Sequence, residues 1–441
     1  MRPSSVHWHD LKPDALRAAF ARMTHSGFVR HIVTLATGAA LAQVIPLMVQ
    51  PILTRMYTPR EFGVLSIYVA LMSNLAVLAT ARYEMAIVLP GDEKRATNLM
   101  GLSLFFATAL SLLMLVLQLC GINHLLLKLM GTPADTADFV FWLYLLPVSL
   151  WLAGLMQAWT NWNNRHSRYR ANASGRMSQS LGMSGTQLAG GLLHAGAGGL
   201  ILGQFAGQVF SLLAQAWLDI RQRFSWRHQV DRQTMRQVAL EYSEFPKINT
   251  PHAFVTALQD SMTLALLGFL SGASTVGFYG MMMRLLKLPA ALIGQAVAQV
   301  AYRELAEARN AGRPLRPILK RMVVALGGLA LIPFLVIRLA GEPLFRFVLG
   351  SSWSTAGRYA EAMAIFILFH FVASPMAMVP LVIQRQRTAF MLSLVQTTLF
   401  VGALWSGFYF WGDPIKAFTL VSWVMVGYFL CYFAWLFQAA K

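Results

Sequence analysis

The segment "VLATARYEMAIVLPGDEKR" (Val77–Arg95) places charged side chains inside a hydrophobic run whose length approaches that of a membrane span. Arg82 and Glu84 lie in the middle of this run. A charged side chain costs at least ~2.5–3.5 kcal/mol at the centre of a bilayer, so it normally faces a partner or a water-filled space. If the run crosses a membrane, these two residues indicate a polar interior rather than a helix surrounded by lipid.

The composition of the whole chain is typical of a membrane protein. Of its 441 residues, 56% are hydrophobic and 12% are charged, whereas a soluble domain contains roughly 25% charged residues. Apolar runs long enough to cross a bilayer recur along the entire sequence. We therefore predict an all-α polytopic membrane protein with about twelve transmembrane helices and no soluble domain.

The distribution of basic residues predicts the orientation of the chain. There are 36 Lys and Arg against 18 Asp and Glu. When the apolar runs are threaded through a bilayer, most of the basic residues fall in every second loop, as cytoplasmic loops require. Both termini are therefore predicted to be cytoplasmic. Because the positive charge follows the loops, it indicates no nucleic-acid partner.

A basic segment divides the predicted spans into two lobes of six. The predicted parts are a cytoplasmic arm (1–27), an N-lobe (28–220), a basic cytoplasmic linker (221–247) and a C-lobe (248–441). Because six is even, both lobes begin on the same side, so a repeat would be parallel and related by an axis along the membrane normal. The segments "LTRMYTPREFGVLSIY" (Leu53–Tyr68) and "LGFLSGASTVGFYGMM" (Leu267–Met282) support such a repeat.

The sequence predicts neither a metal site nor a cofactor, and no enzymatic activity. Cys120 and Cys431 are the only cysteines, and both lie in apolar runs where they serve packing. No Walker loop, HExxH motif or acidic metal cluster is present, and no extracytoplasmic loop is long enough to hold a catalytic domain.

The seventh and eighth predicted spans, 248–270 and 277–302, carry the clearest polar faces. Arg284 and Lys287 are three residues apart, so their side chains project together. When the two spans are mirrored about the turn between them, Asp260 lies level with Lys287. Two cations and one carboxylate leave one net positive charge, which suits an anionic substrate such as a phosphate; a structural ion-pair network is the alternative. The predicted substrate-binding residues are Asn249, His252, Gln259, Asp260, Arg284, Lys287 and Gln295.

The second predicted span, 62–90, carries another polar face. On a continuous helix Thr80 and Glu84 share one side and Arg82 points nearly the opposite way, so Arg82 and Glu84 are not expected to pair. Glu84 is instead expected level with Arg30 of the first span. Arg82 either belongs to the transport pathway or extends towards the cytoplasmic headgroups. The predicted cavity or gate residues are Arg30, His31, Ser73, Thr80, Arg82, Glu84 and, from the fifth span, Arg176.

The stretch Leu53–Leu99 resembles the Wzx-type oligosaccharide flippases, in the polysaccharide transporter branch of the multidrug/oligosaccharidyl-lipid/polysaccharide exporter superfamily. The resemblance rests on the polar turn before "FG" (Phe62–Gly63), on "RYEMAIVLP" (Arg82–Pro90) and on the acidic and basic loop that follows. It implies two six-helix lobes around a cavity that opens to one side of the membrane at a time.

The resemblance also implies a substrate and a location. The substrate would be a polyprenyl (usually undecaprenyl) pyrophosphate that carries a short glycan. It would move from the cytoplasmic to the outer leaflet of the bacterial inner membrane, for the assembly of lipopolysaccharide O-antigen, capsule or exopolysaccharide. The implied partners are this lipid-linked glycan, membrane lipids, and a polysaccharide polymerase with a chain-length regulator.

Four functions stay open on sequence alone. The first is this lipid-linked oligosaccharide flippase, and the second is a cation-coupled multidrug exporter of the same superfamily. The third is a membrane glycosyltransferase or polymerase, which the missing soluble loop disfavours. The fourth is a subunit of an assembly machine that does not itself transport.

Overall fold

A computed structural model describes residues 27–123, 125, 137–221 and 230–440, and these ranges are helical without a β-strand. Twelve helices in them have 20 residues or more. They are α1 (Gly27–Met56), α2 (Pro59–Leu78), α3 (Glu93–Leu119), α4 (Leu146–Arg165), α5 (Tyr169–Leu192), α6 (Gly196–Arg221), α7 (Thr250–Ser271), α8 (Ala273–Asn310), α9 (Arg316–Leu349), α10 (Ser354–Met376), α11 (Gln386–Trp411) and α12 (Pro414–Ala439).

Eight of these helices are long and apolar enough to cross a membrane: α2, α3, α4, α6, α9, α10, α11 and α12. Lengths of 20 residues and more match the ~30 Å thickness of the hydrocarbon core. The prediction of an all-α polytopic membrane protein is therefore confirmed. A total of twelve spans, the cytoplasmic termini and the four predicted parts of the chain stay predictions.

The second predicted span is shorter than the sequence suggested. Helix α2 ends at Leu78, and the backbone then turns through Ala81 and Arg82, whose φ angles of 48° and 62° are left-handed. A short 3₁₀ helix, Tyr83–Val88, follows. Its residues Tyr83, Ala86 and Ile87 are buried against α3 and α4, so tertiary packing outweighs the apolar pattern that predicted one continuous helix to residue 90.

A short helix in the linker, Arg232–Glu241, docks on this same region. Its Val238 is fully buried among side chains that include Tyr83 and Leu99, and the Tyr83 hydroxyl donates to the carbonyl of Ala239 (3.0 Å). Asp231 caps the helix by accepting a hydrogen bond from the backbone N–H of Thr234. This hydrogen bond stabilises the ionised carboxylate and so lowers the pKa of Asp231 below its ordinary value. We call the end of the molecule that carries this helix the linker end.

Ion pairs add to the contact at the linker end. Arg95 of α3 pairs with Glu241, the last residue of the linker helix. Lys94 lies 4.0 Å from Asp231. These side chains are largely exposed, so each pair contributes little and the buried Val238 dominates the docking.

The two halves of the chain meet where α2 crosses α8, and two glycines allow the close approach. A Cβ on Gly63 would lie 1.8 Å from the carbonyl oxygen of Ala273, and a Cβ on Gly277 would lie 1.9 Å from that of Pro59. Gly63 lies four residues after Pro59, the first residue of α2, and Gly277 lies four residues after Ala273, the first residue of α8. The two segments that the sequence paired as a repeat thus contact each other symmetrically through matching residues.

Further contacts close the molecule beyond this crossing, at the end opposite the linker end, which we call the far end. The Arg55 guanidinium donates to the carbonyls of Phe347 and Val348, both at 3.2 Å. Trp353 donates its indole N–H to the carbonyl of Thr54 (2.9 Å) and is fully buried. The turn after α1 is therefore joined to the turn after α9.

Substitution of either crossing glycine should loosen the α2–α8 contact. We expect Gly63→Ala and Gly277→Ala each to destabilise the protein by about 1–3 kcal/mol, because a methyl group cannot fit and the helices must separate. Thermal unfolding of the purified protein in detergent measures this change. Gly328→Ala in α9, where an added Cβ meets nothing within 4 Å, is the matched control and should not lower the melting temperature. Equal melting temperatures for all three variants would contradict the tight crossing.

Candidate substrate cavity

A cavity of about 700 Å³ lies between the two halves of the chain, on the linker-end side of the glycine crossing. Five helices line it: α2, α5, α6, α7 and α8. The lining residues are Leu65, Ser66, Val69, Ala70, Ser73, Met183, Gln187, Gln204, Ala257, Ser261, Leu264, Tyr279, Gly280, Met283, Arg284 and Lys287.

The cavity wall on α8 is positively charged. Arg284 and Lys287 both line it, as their spacing predicted, and the Arg284 side chain is exposed there. Among the described side chains of the lining, these two are the charged ones, and none is a carboxylate. In a space walled largely by apolar groups a positive charge is poorly screened, so the described wall favours an anion.

The opposite wall on α2 is uncharged and carries two hydroxyls among apolar side chains. Ser66 and Ser73 face the cavity, and the Ser66 hydroxyl donates to the carbonyl of Phe62 (2.8 Å), which leaves its oxygen as an acceptor. The Asn74 amide donates to the Ser261 hydroxyl at 2.5 Å and ties α2 to α7 beside the cavity. Such groups suit hydrogen bonds to a neutral, hydroxyl-rich ligand.

Two glutamines complete the polar lining. Gln187 of α5 is buried and donates to the carbonyl of Leu200 (3.2 Å); Gln204 of α6 is half-buried. Gln204 was not among the residues predicted for the cavity. Gln204 could have been predicted from the sequence, because it shares one helical face with Gln208 and Gln215 in the apolar run of α6, and polar side chains at membrane depth normally face protein or water.

The pair Arg82 and Glu84 lies outside this cavity lining, and the prediction that they do not pair is wrong. The Arg82 guanidinium is 3.8 Å from the Glu84 carboxylate, and Thr80 donates a short hydrogen bond to the same carboxylate. The left-handed backbone at Ala81 and Arg82 brings the two side chains together, which a continuous helix could not do. Glu84 is 2% exposed.

The other predicted site residues divide into two groups. Asn249, just before α7, and Arg176 on α5 are exposed and do not line the cavity. The remaining side chains lie outside the described part of the structure: Arg30, His31, His252, Gln259, Asp260 and Gln295. The expected level pairing of Asp260 with Lys287, and of Arg30 with Glu84, therefore stays a prediction.

The sequence of the chain matches a known family. Residues 52–358 fit the family model described as "Polysaccharide biosynthesis protein". The chain belongs to this family. The match covers α2 to α8 and therefore all the described residues that line the cavity. No curated protein matches the chain.

Solved structures of membrane transporters share the fold. The chain is similar to an inward-facing multidrug resistance MATE family transporter of the MOP superfamily, with a TM-score of 0.71, 14% identity, and coverage of 90% of this chain and 94% of that one. It is also similar to the lipid II flippase MurJ in an inward closed conformation, with a TM-score of 0.65, 13% identity, and coverage of 91% of this chain and 87% of that one. An outward-facing MATE family transporter gives a TM-score of 0.57 at 14% identity, over 93% of this chain and 96% of that one.

The pairing of Glu84 with Arg82 predicts a specific pattern of stabilities. Arg82→Ala leaves a buried carboxylate without its cation and should lower the stability by about 3 kcal/mol. The double variant Arg82→Ala/Glu84→Gln removes the uncompensated charge and keeps an acceptor for Thr80, so it should recover much of the loss. Melting temperatures of the wild type, both single variants and the double variant test this. A double variant no more stable than Arg82→Ala would contradict the pairing.

Proposed function

We propose that this protein flips a polyprenyl pyrophosphate-linked oligosaccharide, most simply an undecaprenyl one, from the cytoplasmic to the periplasmic leaflet by alternating access. The process would supply surface polysaccharide biosynthesis (O-antigen, capsule or exopolysaccharide) in the bacterial inner membrane. The observation that carries this proposal is the cavity with a cationic wall on α8 and an uncharged polar wall on α2.

The two walls fit the two polar parts of such a substrate. The pyrophosphate is an anion. The planar guanidinium of Arg284 can bind it through two hydrogen bonds, and the ammonium of Lys287 can bind it as a point charge. The hydroxyls and amides of Ser66, Ser73 and Gln204 suit the hydroxyl groups of a sugar. A volume of about 700 Å³ accommodates a headgroup, while the polyprenyl chain stays in the lipid.

The closed far end supports an inward-facing state under this proposal. The glycine crossing and the contacts of Arg55 and Trp353 lie between the cavity and that end. If the positive-inside pattern gives the orientation, the far end is periplasmic and the cavity is reached from the cytoplasm. Release of the substrate then requires the α2–α8 crossing to open, as Arg55 and Trp353 exchange their partners.

The charge of the cavity disfavours the multidrug exporter. A cationic drug would meet Arg284 and Lys287 and be repelled, so the likeness to a MATE family transporter supports the fold and not its substrates. We further propose that the chain acts without enzymatic chemistry, and that a polymerase with a chain-length regulator uses its product. A dye-efflux assay in a host without other pumps separates the two transporter hypotheses.

Removal of the two cavity cations should abolish polysaccharide export. Each charge-assisted hydrogen bond to the pyrophosphate contributes roughly 1.5–3 kcal/mol, so Arg284→Ala/Lys287→Ala should lower export at least about a hundredfold. Surface polysaccharide is measured in a deletion strain complemented with each variant, with membrane levels of the protein determined in parallel.

Arg385→Ala/Arg387→Ala is the matched control, because it removes the same charge from exposed residues outside the cavity. It should restore export to the wild-type level. Full export by a properly inserted Arg284→Ala/Lys287→Ala variant would overturn the assignment of the cavity.

A further inference from the structure

A second cavity lies in the C-terminal half of the chain and shares no lining residue with the first. It has a volume of about 300 Å³ and lies between α9, α10 and α12. Two of its lining residues are the cations Arg338 and Arg358, and a third is Glu361. Arg338 stands within the apolar helix α9, so its charge at membrane depth needs an explanation that the proposed transport does not supply.

The carboxylate of Glu361 already has a structural task. Helix α9 breaks at Ala340, whose φ and ψ are −139° and 25°, and the break frees the backbone N–H of Glu342. One carboxylate oxygen of Glu361 accepts this N–H at 2.7 Å. Among the described residues that line the cavity, two guanidiniums and one carboxylate leave one net positive charge.

Apart from Thr419, the rest of the described lining is apolar, and it faces outward from the bundle. Phe334, Ile365 and Trp423 line it, and Trp423 is 60% exposed. On the same helix as Phe334, Leu339 is 79% exposed, as expected of a surface that lipid covers. A lipid whose acyl chains lie along this surface can therefore bring its headgroup to the two guanidiniums.

The depth of the cavity matches one leaflet of the bilayer. Arg358 stands four residues after the start of α10, about 6 Å along the helix at ~1.5 Å per residue. Arg338 precedes Leu349 at the end of α9 by eleven residues, about 16 Å along the helix. The cavity thus reaches from the far end to near the middle of a ~30 Å hydrocarbon core.

We propose that this cavity is a binding site for an anionic phospholipid of the far-end leaflet. Arg338 and Arg358 hold the phosphate of the headgroup, and one acyl chain lies along Phe334, Ile365 and Trp423. An anionic headgroup is preferred to a zwitterionic one because the cavity keeps one net positive charge. The site is separate from the substrate cavity, and the proposal does not depend on the substrate that the protein transports.

Native mass spectrometry of the purified full-length protein tests this site. Phosphatidylglycerol and phosphatidylcholine with the same acyl chains are added at equal mole fractions, and bound lipid is counted in each case. The wild type should retain phosphatidylglycerol preferentially, and Arg338→Gln/Arg358→Gln should retain about tenfold less of it, since charge-assisted hydrogen bonds to phosphate are lost. Arg346→Gln/Arg387→Gln removes the same charge outside the cavity and should bind lipid like the wild type.

A third variant keeps the test decisive if the double variant does not fold. Glu361→Gln keeps a carbonyl oxygen for the Glu342 N–H and removes the negative charge, so it should retain more phosphatidylglycerol than the wild type. Unchanged or weaker retention by Glu361→Gln would overturn the proposal. So would equal retention of the two lipids by the wild type, or displacement of phosphatidylglycerol by millimolar inorganic phosphate, which would indicate a site for the free ion.

Discussion

The close crossing of α2 and α8 is the contact on which the rest of the structure depends. Because neither Gly63 nor Gly277 has a side chain, the two helices touch backbone to backbone. Beyond the crossing they diverge, and the space between them is the cavity whose walls carry Ser73 on one side and Lys287 on the other. The same contact therefore closes the molecule towards the far end and sets the width of the cavity.

A closure made by two glycines is also a closure that can open. Backbone contacts between helices without interlocking side chains involve little rearrangement when the helices separate. Between the described residues, the hydrogen bonds that join the two halves at the far end come from the guanidinium of Arg55 and the indole of Trp353. At the other end, the linker helix anchors itself through Val238 to the N-terminal half of the chain. Among the described residues, the halves are thus held by this crossing, by the Asn74–Ser261 hydrogen bond and by the contacts of Arg55 and Trp353.

The sequence predicted much of this arrangement and failed at identifiable points. The helical spacing of Arg284 and Lys287 placed both on one face, and both line the cavity, because α8 is regular there. Arg82 and Glu84 pair against the prediction, because helical spacing applies only to a continuous helix. Here the 3₁₀ segment is buried against α3 and α4, and the chain enters it through a left-handed turn that no local pattern announces. Gln204 was missed although it shares a face of α6 with Gln208 and Gln215, because amides at this spacing equally mark packing against a neighbouring helix, as Gln215 does by accepting from Asn163.

The central claim is that a lipid-linked glycan passes through the cavity beside Arg284 and Lys287. Mass spectrometry of polyprenyl-linked glycans in a strain that lacks this protein tests it most directly. The account predicts that one pyrophosphate-linked oligosaccharide accumulates and stays on the cytoplasmic side, inaccessible to a glycosidase added to spheroplasts. Unchanged glycan-lipid levels together with intact surface polysaccharide, in a strain without a second protein of this family, would contradict it.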